Sequence, residues 1–146
     1  MKRYFAMAVI LLVGLIAWRG FAHDAAHGPQ VKPVMSQAIM EKVDGVATRA
    51  TMVEVTWEAG GSSAAHRHPG PTFVYVLEGE LETQVGDGPI VRLKQGDTLY
   101  EPSMVLHRAT RNVSRDKPAK ILALHLHPSD TDQLVIPEPH ENADSN

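Results

Sequence analysis

Two histidines separated by one residue are the strongest chemical signal in this chain. Because side chains alternate between the two faces of a strand, we expect His66 and His68 to point the same way and Arg67 to point away. Two imidazoles on one strand face can bind one metal ion. A third histidine, His107, lies in a separate run that we expect to form a neighbouring strand. The chain has no cysteine, so any metal must be held by nitrogen and oxygen ligands.

Tyr100 and Glu101 stand beside Pro102 in the run that leads to His107. In one interpretation they are a packed aromatic ring and a turn carboxylate. In the other, Glu101 lies near the open side of a metal site, where it orients a ligand or exchanges protons with a bound molecule. We retain Glu101 and Tyr100 as candidate catalytic residues.

A second pair of histidines with the same spacing lies near the carboxyl end. His125 and His127 share a strand face, which makes an auxiliary metal site one interpretation. The residues that alternate with them, Leu122, Leu124 and Leu126, look like a core face. The sequence therefore predicts that His125 and His127 lie on the outside of the protein.

Seven strand-like runs must position these side chains. They are rich in Val, Thr, Leu and Tyr, and none has the length and period of a helix. Glycine, proline and aspartate separate them and supply the backbone angles that reverse a chain. Strands at this spacing predict an all-β sandwich or small barrel. The runs are 51–58, 72–77, 80–85, 90–93, 98–101, 105–110 and 119–127.

Two spaced motifs, covering roughly residues 48–128, resemble the paired motifs of the cupin superfamily. The matched positions are Gly60, His66, His68 and Gly79 in the first motif and Gly96, Pro102 and His107 in the second. The resemblance implies a small jelly-roll-like β-barrel, often dimeric, with a metal site inside it that His66, His68 and His107 provide.

The chain departs from these motifs at three positions. Thr72 stands where the family has a glutamate ligand, Met104 where it has glycine, and Arg111 where it has asparagine, with Asn112 one residue later. The resemblance then implies three imidazoles with open positions and Thr72 outside the ligand set. Three imidazoles resemble the iron site of the thiol dioxygenases and suit Fe, Zn, Ni, Mn or Cu.

The amino terminus is typical of a secretory signal peptide. Lys2 and Arg3 precede an apolar run over residues 6–18, and small residues lead to Ala22. As a helix the run would reach about 20 Å, which is short of a hydrocarbon core of roughly 30 Å. We expect cleavage of residues 1–22, export to the periplasm or the extracellular space, and no stable membrane anchor.

The remaining chain has the length of one domain. We expect a flexible lead-in at 23–30, the barrel at 31–128 and an acidic tail at 129–146 that is mobile past Pro137. The formal net charge is −3 and no cluster of Lys and Arg occurs, so we expect no nucleic-acid partner.

Two functions remain open from the sequence. The protein is either a small metal-dependent enzyme, an oxygenase, isomerase or hydrolytic enzyme with dioxygenase-like chemistry favoured, or a barrel that binds a small molecule or metal without turnover. The absence of a glutamate at position 72 slightly favours the second function, binding without turnover. The expected partners are a small molecule and a second copy of the chain, the latter against apolar surface formed by Phe73, Tyr75 and Leu77.

Overall fold

The computed structural model describes residues 28–131 and 133–139, and all regular secondary structure in these ranges is β-strand. The predicted signal peptide and its cleavage site lie outside the described residues. Within those ranges, no helix is long and apolar enough to span a membrane. The strands are β1 (Gln30–Val43), β2 (Val46–Trp57), β3 (Ser62–Ser63), β4 (His66–Arg67), β5 (Thr72–Glu78), β6 (Glu80–Val85), β7 (Val91–Lys94), β8 (Thr98–Glu101), β9 (His107–Asn112), β10 (Ala119–Pro128) and β11 (Ile136–Pro137).

The strands form two antiparallel sheets around one apolar core. The first sheet has the order β1-β2-β10-β5-β8, and the second has the order β11-β4-β9-β6-β7, with β3 also paired to β9. The core joins both sheets, since Val76 and Ile121 of the first pack with Leu81 and Leu93 of the second. The predicted all-β barrel is confirmed.

Alternation along β5 directs side chains as the sequence predicts. Thr72, Val74 and Val76 are buried, whereas Phe73 and Tyr75 remain 47% and 46% exposed. The inner face of this strand thus contributes to the core, and its outer face presents aromatic rings to solvent.

Alternation along β10 is opposite to the prediction. His125 and His127 are buried, at 5% and 3% exposure, and continue the inner row of Ile121 and Ala123. Leu122, Leu124 and Leu126 are only half-buried on the outer face. The prediction that the histidines are exposed was therefore wrong. Both faces of β10 carry apolar residues, so the pattern alone could not assign the inner face.

The first hairpin was absent from the predicted runs. β1 pairs with β2 from Gln30 opposite Thr56 to Val43 opposite Val46. Asp44 and Gly45 form its turn with positive φ angles of 53° and 77°, as a two-residue hairpin loop requires. β1 lies at the edge of the sheet and is largely exposed, so its sequence shows little of the alternation that burial imposes.

The sheet also extends past residue 128, the predicted end of the barrel. β11 pairs with β4, with Ile136 opposite Arg67. The guanidinium of Arg67 donates to both carboxylate oxygens of Glu138, at 2.9 and 3.0 Å. We call residues 133–139 the C-terminal segment, and these contacts attach it to the barrel beside the histidines.

All four positions where the two motifs have glycine, namely Gly60, Gly79, Gly96 and Met104, have a positive φ angle. Gly79, between β5 and β6, has φ of 76°, and an added Cβ would lie 2.8 Å from Cα of Ala119. Met104 has φ of 59° at the position where the cupin motif has glycine. The structure therefore keeps the turn that the motif glycine serves, although methionine adopts that conformation less readily.

Candidate metal centre

The two sequence motifs bring three imidazoles together. His66 lies on β4 directly opposite His107 on β9, and His68 follows two residues after His66. One nitrogen from each ring lies within 4.8 Å of the others. His68 and His107 are each 7% exposed, and His66 is half-buried. The structure thus brings together the three histidines named from the sequence.

Backbone carbonyls orient two of these rings. His66 Nδ1 donates to the carbonyl oxygen of Ala64 at 2.8 Å, and His68 Nδ1 donates to that of Leu134 at 2.7 Å. A metal-binding histidine usually donates its second ring N–H in this way, which fixes the tautomer. Both rings therefore keep Nε2 free to bind an ion.

Two threonine hydroxyls orient the third ring. His107 Nε2 lies 2.5 Å from Oγ1 of Thr83 and 2.8 Å from Oγ1 of Thr110, and these two oxygens are 2.9 Å apart. His107 Nδ1 is buried and has no hydrogen-bond partner among the described residues. This ring therefore offers Nδ1, where the other two offer Nε2.

A carboxylate completes the cluster. Glu101 is 4% exposed; its Oε2 lies 3.1 Å from Nε2 of His68, and its Oε1 lies 3.4 Å from Nδ1 of His107. Its Oε2 also lacks a partner with hydrogen-bond geometry within the described part of the chain. Because neighbouring residues of β8 face opposite ways, Tyr100 points outward, is 53% exposed and packs on Phe73. Tyr100 therefore does not join the cluster, whereas Glu101 does.

Burial and hydrogen bonding set the charges of these groups. Burial lowers the pKa of His107 to about 4 and also lowers that of His66. Burial acts the same way on His68, but the nearby carboxylate of Glu101 and the hydrogen bond to the Leu134 carbonyl outweigh it and raise the His68 pKa. Burial would raise the pKa of Glu101, but His68 and the other rings lower it. The cluster therefore contains an ionised carboxylate, and His66 and His107 stay neutral, as metal binding requires.

His125 adjoins this cluster, although its sequence pattern predicted an exposed position. Its ring centroid lies 4.8 Å from that of His68, and its Nδ1 lies 2.8 Å from Oγ1 of Thr72. Burial lowers the pKa of His125 to about 4, so the ring is neutral at pH 7. Thr72 is thus engaged with His125. His127 is held separately, with Nε2 2.9 Å from Oγ1 of Thr51.

A cavity of about 370 Å³ extends from the cluster into the barrel. Its lining is mostly apolar, and no Lys or Arg occurs among the described residues that line it. Trp57 contributes to this lining, and its buried Nε1 lacks a hydrogen-bond partner in the ranges that the structure describes. The apolar part of the lining includes Val53, Val55, Val74, Ile121 and Ala123.

These donors fit a divalent ion. Three imidazole nitrogens and a carboxylate converge, and two buried atoms among them, His107 Nδ1 and Glu101 Oε2, have no partner with hydrogen-bond geometry among the described residues. Leaving a buried polar atom unpaired costs about 1 to 3 kcal/mol, and a bound cation would satisfy both atoms. Imidazole with carboxylate suits Zn, Fe, Ni, Mn or Cu.

The sequence and the fold are similar to those of known cupin proteins. The cupin domain family profile matches residues 53–127. No protein of curated function matches the chain. Among solved structures, a cupin 2 domain-containing protein from Halorhodospira halophila has a TM-score of 0.58 and 19% identity, covering 76% of this chain and 71% of that one. A conserved protein with a double-stranded β-helix domain from Klebsiella pneumoniae has a TM-score of 0.57 and 20% identity, covering 76% and 86%.

A third structure is more similar in sequence over a shorter region. A DMSP lyase from Ruegeria pomeroyi is 30% identical, with a TM-score of 0.52, over 60% of this chain and 42% of that protein. This chain therefore matches less than half of the lyase. The other two structures, at 20% identity or below, establish the shared fold alone.

Proposed function

We propose that this protein, which belongs to the cupin domain family, binds one divalent metal ion through His66, His68 and His107 and acts on a small molecule in the adjoining cavity. One observation carries the proposal. Each ring has one nitrogen held by a carbonyl or hydroxyl oxygen, and the other nitrogens converge. Such an arrangement orients the ligands before the ion arrives.

The chemistry follows from the ion and the cavity together. A divalent ion held by His66, His68 and His107 would supply Lewis-acid chemistry toward an oxygen of the substrate or toward dioxygen. The apolar walls exclude bulk water from that position. His125 stays neutral and offers a hydrogen-bonding group near the cluster. These features suit an oxygenase, isomerase or hydrolytic enzyme, with a dioxygenase-like reaction as our first candidate.

The lining indicates the type of substrate. Since no basic side chain occurs in the described lining, a substrate bearing several anionic groups would be left without counter-charges. A small molecule with an apolar body and one or two oxygen donors fits better. DMSP cleavage is a second candidate, supported by the 30% identity with the lyase over part of both chains.

Turnover assays separate these candidates. Protein loaded separately with Fe(II), Zn, Ni, Mn or Cu is supplied with a panel of small oxygenated compounds and DMSP, and dioxygen uptake and substrate loss are followed. We expect metal-dependent turnover that His107→Ala abolishes. Stabilisation by a compound that is never consumed, with every metal tried, would instead support the non-catalytic binding function.

We also propose that the protein is exported after cleavage following Ala22. The basic start, the short apolar run and the small residues before the site support this. Mass spectrometry of the exported protein should find a chain that begins at His23. A full-length chain that fractionates with membrane would contradict the proposal.

A homodimer is the partner arrangement that we propose. Phe73, Tyr75 and Tyr100 are about half exposed on one outer face, and the rings of Phe73 and Tyr100 pack 5.3 Å apart. A second copy that covers these aromatic rings would remove a contiguous apolar patch from water.

A further inference from the structure

We propose that Glu101 is the fourth metal ligand, so that the site is three histidines and one carboxylate rather than three histidines alone. The inference rests on the proposed metal-binding function. It changes the part assigned to Glu101, which becomes a direct ligand instead of an acid, a base or an orienting group. In this arrangement the carboxylate comes from β8, whereas the family motif supplies it from the position of Thr72 on β5.

Glu101 faces the ring nitrogens that the backbone carbonyl and the threonines leave free. A carboxylate that orients a histidine accepts from the nitrogen that does not bind the metal. In His68 that nitrogen is Nδ1, which donates to the Leu134 carbonyl, and in His107 it is Nε2, which two threonine hydroxyls hold. Glu101 faces the other nitrogen of each ring. It therefore lies on the side of the rings where the ion would bind.

The distances from Glu101 to these nitrogens also support the assignment. Two ligand atoms that each lie about 2.1 Å from one ion, in tetrahedral or octahedral geometry, are about 3.0 to 3.4 Å from each other. The oxygens of Glu101 lie 3.1 Å from Nε2 of His68 and 3.4 Å from Nδ1 of His107. Both separations match the edge of a coordination polyhedron, whereas the three imidazole nitrogens, up to 4.8 Å apart, would have to move closer together around the ion.

The register of β5 and β8 also supports the assignment. Thr72 and Glu101 are directly opposite each other in the β5–β8 ladder. Residues opposite each other in an antiparallel pair project from the same sheet face, a short distance apart. A glutamate on either strand can therefore reach the same region, and the smaller Thr72 leaves space for the side chain of Glu101. Thr72 and Glu101 are both buried there, at 1% and 4% exposure.

This assignment predicts the preferred ions. A carboxylate lowers the net charge of the occupied site from +2 to +1 and adds a hard oxygen donor. Hard donors favour Mn²⁺ and Fe²⁺ relative to a site made of imidazole alone. An ion held by these four residues would still have room to accept a substrate or water.

Metal ions alone, without substrate, are added to the full protein to test whether Glu101 is a ligand. Binding of Co²⁺ and Mn²⁺ is measured by titration calorimetry, and the visible absorption of bound Co²⁺ reports its coordination. The variants are Glu101→Gln, which keeps the side-chain shape, and the same change combined with Thr72→Glu. Glu78→Gln, on the exposed end of β5, controls for the loss of one negative charge.

We expect Glu101→Gln to weaken Mn²⁺ binding at least about 100-fold, the upper end of the effect of an orienting group. It should also change the Co²⁺ absorption, and Thr72→Glu should restore both properties. Glu78→Gln should change neither. Unchanged Co²⁺ absorption in Glu101→Gln, whatever its affinity, would place Glu101 outside the ligand set and overturn this inference alone. A wild-type protein that binds neither ion would overturn both this inference and the proposed function.

Discussion

Acid should destabilise the metal-free protein through His125 in particular. Burial lowers the pKa of this ring to about 4, from an ordinary value of 6.5. Between these values the unfolded chain binds a proton at this site that the folded protein excludes. The free energy of unfolding must therefore fall as the pH is lowered through this window, and above pH 6.5 the site has no effect.

The size of the effect follows from the shift. A difference of roughly 2.5 pH units, at about 1.36 kcal/mol each, corresponds to about 3 kcal/mol from His125. His107, whose pKa is also lowered to about 4, adds a similar pH dependence to the free energy of unfolding. His68 acts oppositely, because its pKa is raised, and its stabilising effect is present below pH 6.5 and lost as the pH rises through the folded value. His66, whose pKa burial also lowers, acts in the same direction as His107 and His125, so all three contribute to the acid loss of stability.

The assay is urea unfolding of chelator-treated protein at several values between pH 4 and 6.5. His125→Asn retains a polar group that can reach Thr72 but cannot take up a proton. Near pH 5, the free energy of unfolding of this variant should fall by about 1.4 kcal/mol less per pH unit than that of the wild type. Leu124→Asn, on the outer face of the same strand, should shift stability without changing the slope. If the pH dependence of the free energy of unfolding were unchanged in His125→Asn, the reasoning would be refuted. It would also be refuted if NMR showed the His125 ring of the folded wild type to titrate near pH 6.5.

Three further predictions concern the surroundings of the site. Met104→Gly should raise the free energy of unfolding by about 0.5 to 1 kcal/mol, since relief of a left-handed backbone outweighs the entropy that glycine adds to the unfolded chain. Urea titration measures this change, and the control Met104→Ala should show no gain in the free energy of unfolding. Glu138→Gln should weaken metal binding by roughly two- to tenfold, because it releases the C-terminal segment whose carbonyl orients His68, and calorimetry measures the change. Phe73→Glu should convert the dimer into monomers, as measured by light scattering. A monomeric wild type would refute the proposed dimer.

The sequence was sufficient for the three histidines and insufficient for their surroundings. Alternation placed His66 and His68 on one face, and the second motif supplied His107. The same rule, applied to β8, would have separated Tyr100 from Glu101 before the structure was known. His125 could not be placed, because both rows of β10 contain apolar residues and only the packing of two sheets decides which is inside.

The remaining parts of the site depend on contacts between distant segments. The hydroxyls that hold His107 come from β6 and β9, and the carbonyl that orients His68 comes from residue 134, 66 positions along the chain. No local pattern identifies such partners. The strand β1 was missed for another reason, since an exposed edge strand has no buried face to impose periodicity.

The central claim is that His66, His68 and His107 jointly bind one ion. Titration calorimetry with Zn²⁺ on metal-free wild-type protein, checked by elemental analysis of the product, tests it most directly. We predict one ion per chain, severe loss of affinity when any of the three is replaced by alanine, and retention of binding in His127→Ala and His125→Ala. If His107→Ala keeps full stoichiometry and affinity while His125→Ala loses them, the third ligand is His125 and the account is contradicted.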